Sequence, residues 1–151
     1  MAQSLLSTGP SEPPAALVFA HVAGASEHSP FMEAVAGGLN SRGWLVHRFA
    51  FPYMRCAQEM GRRRPPDRAP VLLNCFREVV GEVSSDRPVF IGGKSMGGRI
   101  ASMLLNELSS SGAVRAGLCF GYPFHPFGRP SRVRTEHLEQ LKAPLLILQG
   151  E

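Results

Sequence analysis

A serine held between two nearby glycines, Gly93-Lys94-Ser95-Met96-Gly97, is the part of this chain best suited to chemistry. The pattern is G-x-S-x-G, in which a sharp strand-to-helix turn lifts a serine hydroxyl clear of the backbone as a nucleophile. Small residues must flank that serine, because a Cβ at either glycine would strike the neighbouring strand or helix. A helix beginning at Met96 would aim its positive end, and the Met96 N–H, at the oxyanion formed when Ser95 attacks an acyl carbonyl. The pentapeptide is common by chance and gains meaning only at a strand-to-helix junction. Two other readings compete for it. Gly93-Lys94-Ser95 could end a P-loop, G-x-x-x-x-G-K-S/T, but the first glycine would then fall at Pro88, and residues 89–91 read as strand and not as a phosphate-cradling loop. A purely structural glycine-rich turn is the third reading.

A serine nucleophile needs partners. The run His21-Val22-Ala23-Gly24 directly follows the first apolar segment, where serine hydrolases place the loop that supplies a second oxyanion N–H. His21 is expected to hydrogen-bond the backbone of that loop. On such a scaffold the acid and then the histidine follow the serine in the chain. Past Ser95 the histidines are only His125 and His137. His137, beside Glu136 and Glu139, reads as a solvated residue of a short helix. His125 lies in a proline-aromatic loop at the active-site edge, where it either packs or touches substrate. Lys94 reads as solvent-facing, with a second role open to it in meeting an anionic substrate. Glu151 falls near the place of an acid.

The elements that must position these residues alternate along the chain. Short apolar runs at residues 15–20, 44–51, 88–91, 116–120 and 145–149 read as strands, continuous enough to be buried on both faces. Between them, Ser29 and Pro30 mark an N-cap and first position for a helix carrying Phe31, Met32, Val35 and Leu39, closed by Gly43. Gly92-Gly93 reads as a turn after the third strand. An irregular segment runs through Pro66. A helix from about residue 67 follows, with Leu72, Phe76, Val79 and Val83 as its apolar stripe, and another from Met96 to about residue 109. A short helix starts near Thr135. Strand-helix alternation predicts βαβ units with right-handed crossovers and an α/β fold with a five-stranded parallel sheet covered on both faces, ordered 2-1-3-4-5 by chain order. Residues 1–14 are expected to be disordered or loosely attached, and 15–151 to form one domain.

The bulk composition narrows the classes. A hydrophobic content of 44% with ordinary charge suits a globular protein. No apolar run reaches the roughly 20 residues that span a bilayer, and the polar, proline-bearing start does not read as a signal peptide. Three cysteines without ligand spacing suggest no metal site and a reducing cytosol. The net charge of +4 owes much to Arg62-Arg63-Arg64 and Arg68, a solvated loop with little aromatic company, which argues against nucleic acid.

With these motifs in view, Phe51-Pro52-Tyr53, the stretch 64–70 (RPPDRAP), residues 91–99 and Gly121-Tyr122-Pro123-Phe124-His125-Pro126 together resemble the small bacterial α/β-hydrolases of the dienelactone-hydrolase-like group. That group is related to a subunit family of a histone-acetyltransferase complex. The resemblance covers residues 17–151 and implies an α/β-hydrolase-like three-layer sandwich with Ser95 as nucleophile. The usual oxyanion loop reads H-G-A-G, so Ala23 matches its donor, while Val22 replaces a small glycine and is expected to strain the loop. The resemblance also puts the acid and histidine after the last strand, so the chain reads as C-terminally truncated, with a final strand and helix missing.

Two functions follow. One is an ester or acyl hydrolase scaffold acting on a small molecule, without metal or cofactor, in which Ser95 attacks and the Met96 and Ala23 N–H groups bind the oxyanion. The other is a non-catalytic binding or interaction module that keeps the fold. An uncovered last strand would also invite self-association through its open edge.

Overall fold

In the computed structural model, which describes residues 4–83 and 86–150, the chain builds one sheet with helices on both faces. The strands are β1 (Leu6–Thr8), β2 (Ala16–Ala20), β3 (Leu45–Phe49), β4 (Val89–Lys94), β5 (Gly117–Phe120) and β6 (Leu145–Leu148). The helices are α1 (Pro30–Asn40), α2 (Pro52–Met60), α3 (Ala69–Glu82) and α4 (Met96–Ser110), with a 3-10 turn at Glu136–Gln140. Across the sheet the order is β1-β3-β2-β4-β5-β6. From β3 to β6 every pairing is parallel, and the order of these five strands is the 2-1-3-4-5 expected from the alternation. The chain winds outward from β2 to β3, then returns to β4 and winds the other way. This places the C-terminal ends of β2 and β4 side by side at the switch point, where α/β sheets hold their ligands.

Three expectations need correction. The sheet has six strands, not five: β1 runs antiparallel to β3, with Leu6 opposite Arg48 and Thr8 opposite Val46, inside the segment read as a loose N-terminus. A three-residue strand ended by Gly9-Pro10 is too short to show an alternation. The segment read as irregular contains α2, started by Pro52 and closed by Gly61 in the left-handed conformation. Its sequence is mostly polar because only Tyr53 and Met54 are buried. Gly92 and Gly93 belong to β4 and not to a turn.

The core is two-sided. Toward α1, Leu17 and Phe19 of β2 pack with Met32, Ala36 and Val46. Ser29 caps that helix by accepting from the Met32 N–H, with Pro30 in the first turn. Toward α3 and α4, Val18, Ala20 and Ile91 pack with Phe76, Val79, Ile100, Leu104 and Leu105. All five residues of β2 are buried, as a central parallel strand should be. The same apolar composition in β6 meets a different fate, because β6 is the sheet edge: Leu146 is 57% exposed and Leu148 46%. Among the described residues, no helix is long and apolar enough to cross a membrane.

Phe76 is fully buried and meets Phe49 edge-to-face at 5.1 Å, with Phe51 at 6.4 Å. Phe76→Ala is therefore expected to lower the unfolding free energy by about 3–5 kcal/mol. Urea denaturation followed by circular dichroism checks it; a loss below about 1 kcal/mol would show that this junction is loosely packed.

Candidate active site

Ser95 stands between β4 and α4 with no linking residue on either side. Its backbone has φ 50° and ψ −111°, and among the described residues it is the one non-glycine with positive φ. Such a conformation costs about 1–3 kcal/mol and persists only when its surroundings impose it. They do so here through two hydrogen bonds: the Ser95 N–H donates to the Phe120 carbonyl at 2.8 Å, and the Ser95 carbonyl accepts from the Arg99 N–H at 2.9 Å. The glycines beside it are dictated by space. A Cβ on Gly97 would lie 2.7 Å from the His21 carbonyl oxygen, and one on Gly93 would lie 2.6 Å from the Gly98 nitrogen and 2.7 Å from the Ala20 carbonyl oxygen. The first turn of α4 therefore rests directly on the end of β2. The strained serine and close-packed glycines expected from G-x-S-x-G are both present.

Half-buried Ser95 lines a pocket of about 310 Å³ together with Ala23, Met96, Asp67, Arg99 and Arg134. Among the described residues, neither the Ala23 nor the Met96 N–H has a protein acceptor. The Ala23 loop is set by His21, which is fully buried. Its Nε2 accepts from the Phe51 N–H at 3.1 Å, so Nδ1 carries the proton and donates to the Val22 carbonyl at 2.8 Å. Phe51 and Tyr53 pack edge-on against the ring at 5.1 and 5.9 Å. Burial, outweighing the Val22 carbonyl and the Glu27 charge, holds the imidazole below its usual pKa. In that loop the left-handed residue is Gly24, at φ 83°, and Val22 has no positive φ.

The other predicted residues are scattered. His125 is exposed, with Nδ1 3.1 Å from the Pro126 carbonyl, and is not part of the Ser95 pocket. Lys94 is half-buried and not solvent-facing: its ammonium sits 4.7 Å over the Phe31 ring, outside that pocket. His137 is not a plain surface residue either. Its Nε2 lies 2.8 Å from the Ser102 hydroxyl, anchoring the 3-10 turn to α4, and burial and the Arg99 charge hold its pKa down. Glu151 lies outside the described residues. Cys119, beneath the elbow, is a buried thiol donating to the Gly98 carbonyl at 3.1 Å, and burial pushes its pKa up to about 12. Among the described residues no three His, Cys, Asp or Glu side chains converge as metal ligands would.

Three pocket residues escape the sequence reading. Asp67 is held by the Tyr53 N–H, which donates to its Oδ2 at 2.8 Å. Arg99 follows Ser95 by one helical turn, a spacing that could have flagged it. Arg134 comes from the loop before the 3-10 turn, and nothing local marks it.

Residues 13–151 match the family model described as alpha/beta hydrolase domain. The chain belongs to this family. The fold of this α/β-hydrolase domain is shared by solved structures of low identity. TT1662 from Thermus thermophilus is 20% identical with a TM-score of 0.66, the match covering 99% of this chain and 85% of that one. The dienelactone hydrolase from Anabaena variabilis is 18% identical with a TM-score of 0.65, covering 96% and 79%. The esterase Pf2001 from Pyrococcus furiosus is 12% identical with a TM-score of 0.65, covering 97% and 70%.

Strain in the elbow of this α/β-hydrolase domain predicts an unusual mutational order. Ser95→Gly should be more stable than Ser95→Ala by about 1 kcal/mol, since glycine alone takes positive φ freely. Equal midpoints in urea would show that no strain is stored there. His21 predicts a pH effect. Its folded pKa lies below that of the unfolded chain, so the unfolded chain takes up a proton first. The stabilisation is thus complete above about pH 6.5 and is lost as pH falls through the folded value. The Tm should fall between about pH 7 and pH 5, with half-buried His47 and His137 adding in the same direction. His21→Gln should lower the Tm at about pH 8 yet flatten this fall; a slope unchanged from the parent would clear His21 of the effect.

Proposed function

We propose that this α/β-hydrolase domain is a serine hydrolase scaffold for esters or thioesters of small molecules, with Ser95 as nucleophile. One observation carries the reading: a serine strained to φ 50° at the β4–α4 junction, opening on a pocket that also holds Ala23 and Met96. A turn of this cost is kept where the hydroxyl it presents is used. In this mechanism the Ser95 hydroxyl adds to the acyl carbonyl, and the Met96 and Ala23 N–H groups stabilise the oxyanion. Expulsion of the alcohol or thiol leaves an acyl-serine, and water releases the acid. Esterase and thioesterase domains share the fold. The chemistry calls for neither metal nor cofactor, and the three free cysteines suit a reducing cytosol.

A second reading, a binding or interaction module that keeps the fold, is favoured by where the histidines lie. Among the described residues none bonds to the Ser95 hydroxyl. His21 serves the backbone, His47 meets Ser7, and His137 meets Ser102. Without a base, serine is a weak nucleophile.

The two readings part on one experiment: incubation of the 151-residue chain with p-nitrophenyl acetate, followed by mass spectrometry of the Ser95 peptide. The activated ester can acylate an oriented serine, whereas the resulting alkyl ester needs a base for its hydrolysis. Acetyl-Ser95 should therefore accumulate, with turnover far below about 1 s⁻¹. Ser95→Ala should carry no label at that peptide. An unlabelled Ser95 after prolonged incubation would favour the binding module. A Ser95-dependent turnover of about 1–10³ s⁻¹ would mean that a base already serves Ser95.

A further inference from the structure

The Ser95 pocket does not end at Arg99 and Arg134. Both side chains also line a neighbouring pocket of about 410 Å³, so the two spaces adjoin across this pair. The second pocket is bounded by four arginines, Arg99, Arg129, Arg132 and Arg134, against one carboxylate, Glu136. Among the described residues none of the four is in an ion pair. Elsewhere the same chain does pair its arginines: Arg77 with Glu107, Arg87 with Asp86, Arg48 with Glu33.

Arg99 is the telling member. It is half-buried, and its Nε is fully shielded from solvent with no hydrogen-bond partner. A buried guanidinium N–H without an acceptor is costly and calls for an explanation. Burial and then the neighbouring Arg134 charge push its pKa down. Arg134 is no flexible surface residue, since its backbone is tied on both sides. Its N–H donates to the Phe124 carbonyl at 2.7 Å, and its carbonyl accepts from the buried Tyr122 hydroxyl at 2.7 Å. Two cations are thus held together beside a strained serine, and among the described residues neither is ion-paired with Asp67 or Glu136, the carboxylates that share their pockets.

We infer that Arg99 and Arg134, with Arg129 and Arg132 at the rim, form a subsite for a phosphate group carried by the substrate that Ser95 attacks. Guanidinium forks match phosphate oxygens with paired, charge-assisted hydrogen bonds. A phosphate dianion spreads over more donors than a carboxylate can use, and four unpaired arginines provide them. The inference rests on the Ser95 reading for the reaction, but phosphate binding itself does not need it. The substrate class becomes an ester or thioester bearing a phosphate group, its carbonyl at Ser95 and its phosphate one helical turn along α4. Hydrolysis then consumes one water and releases one acid and one alcohol or thiol, the phosphate staying bonded to its original carbon skeleton.

The test is calorimetric titration of the full chain with inorganic phosphate at low ionic strength. Arg99→Gln/Arg134→Gln should weaken binding at least about tenfold, the loss of about one charge-assisted hydrogen bond. Arg62→Gln/Arg63→Gln removes the same charge from an exposed loop and should leave binding nearly unchanged. Circular dichroism confirms that both variants fold; if the first does not, Arg99→Lys, which keeps the charge but loses the fork, takes its place. No phosphate binding, equal weakening by the two double variants, or acetate binding as tight as phosphate would each overturn the subsite. In a second arm, phosphate should slow acetylation of Ser95 by p-nitrophenyl acetate. Acetylation unaffected by saturating phosphate would separate the two pockets and overturn the proposal. A Ser95 that never acetylates, beside intact phosphate binding, would instead overturn the nucleophile reading alone.

Discussion

The first turn of α4 lies against the last residues of β2, and the rest of the site depends on that close approach. Backbone meets backbone there, with the Gly97 Cα facing the Ala20 and His21 carbonyls and Gly93 facing Gly98. A single methyl at either position would push the helix off the strand. Because the helix must begin at once, the chain reverses its course within one residue, and that residue is forced into a conformation L-amino acids avoid. The same contact sets the Met96 N–H beside the loop that leaves β2. Strain, oxyanion donors and pocket thus share one steric cause.

A second device holds the other wall. His21 uses both ring nitrogens on backbone, joining the loop after β2 to the start of α2. A buried imidazole satisfied at both nitrogens can stay neutral and fix a loop as an aliphatic side chain could not. Behind the loop, buried Arg48 donates to the Glu27 carbonyl at 2.8 Å and pairs with Glu33 at 3.0 Å. Of the buried polar residues described, His21 and Glu27 lie between β2 and α1 and Arg48 reaches that segment from β3, while Ser102 sits within α4.

What could be read in the sequence follows from this physics. Central parallel strands are continuous apolar runs, so β2, β4 and β5 stand out, and their alternation with helical stripes carries the topology. The elbow is legible because sterics dictate residue type at Gly93, Ser95 and Gly97 together. His21 could be assigned to backbone bonding because it follows a buried strand directly. The helix α2 and strand β1 are hidden because one is mostly polar and the other too short to show a period. The chemistry of Lys94 alone suggests solvent, but Lys94 ends β4 and its ammonium sits over the Phe31 ring. Asp67, Arg99 and Arg134 meet at Ser95 through tertiary packing of three separate segments. No local pattern encodes such a meeting, and the arginines look in the sequence like ordinary solubilising charge.

Cys119 gives the elbow a built-in reporter. Its thiol sits beneath Gly98, shut off from solvent, and with a pKa of about 12 almost none of it is thiolate at neutral pH. Since the thiolate is the reactive form, an alkylating reagent can reach this cysteine only when helix and strand part. Half-buried Cys56, on α2, has no such protection. The interval between the two modifications therefore clocks the opening of the helix-strand junction, separately from the fraying of the surface around it.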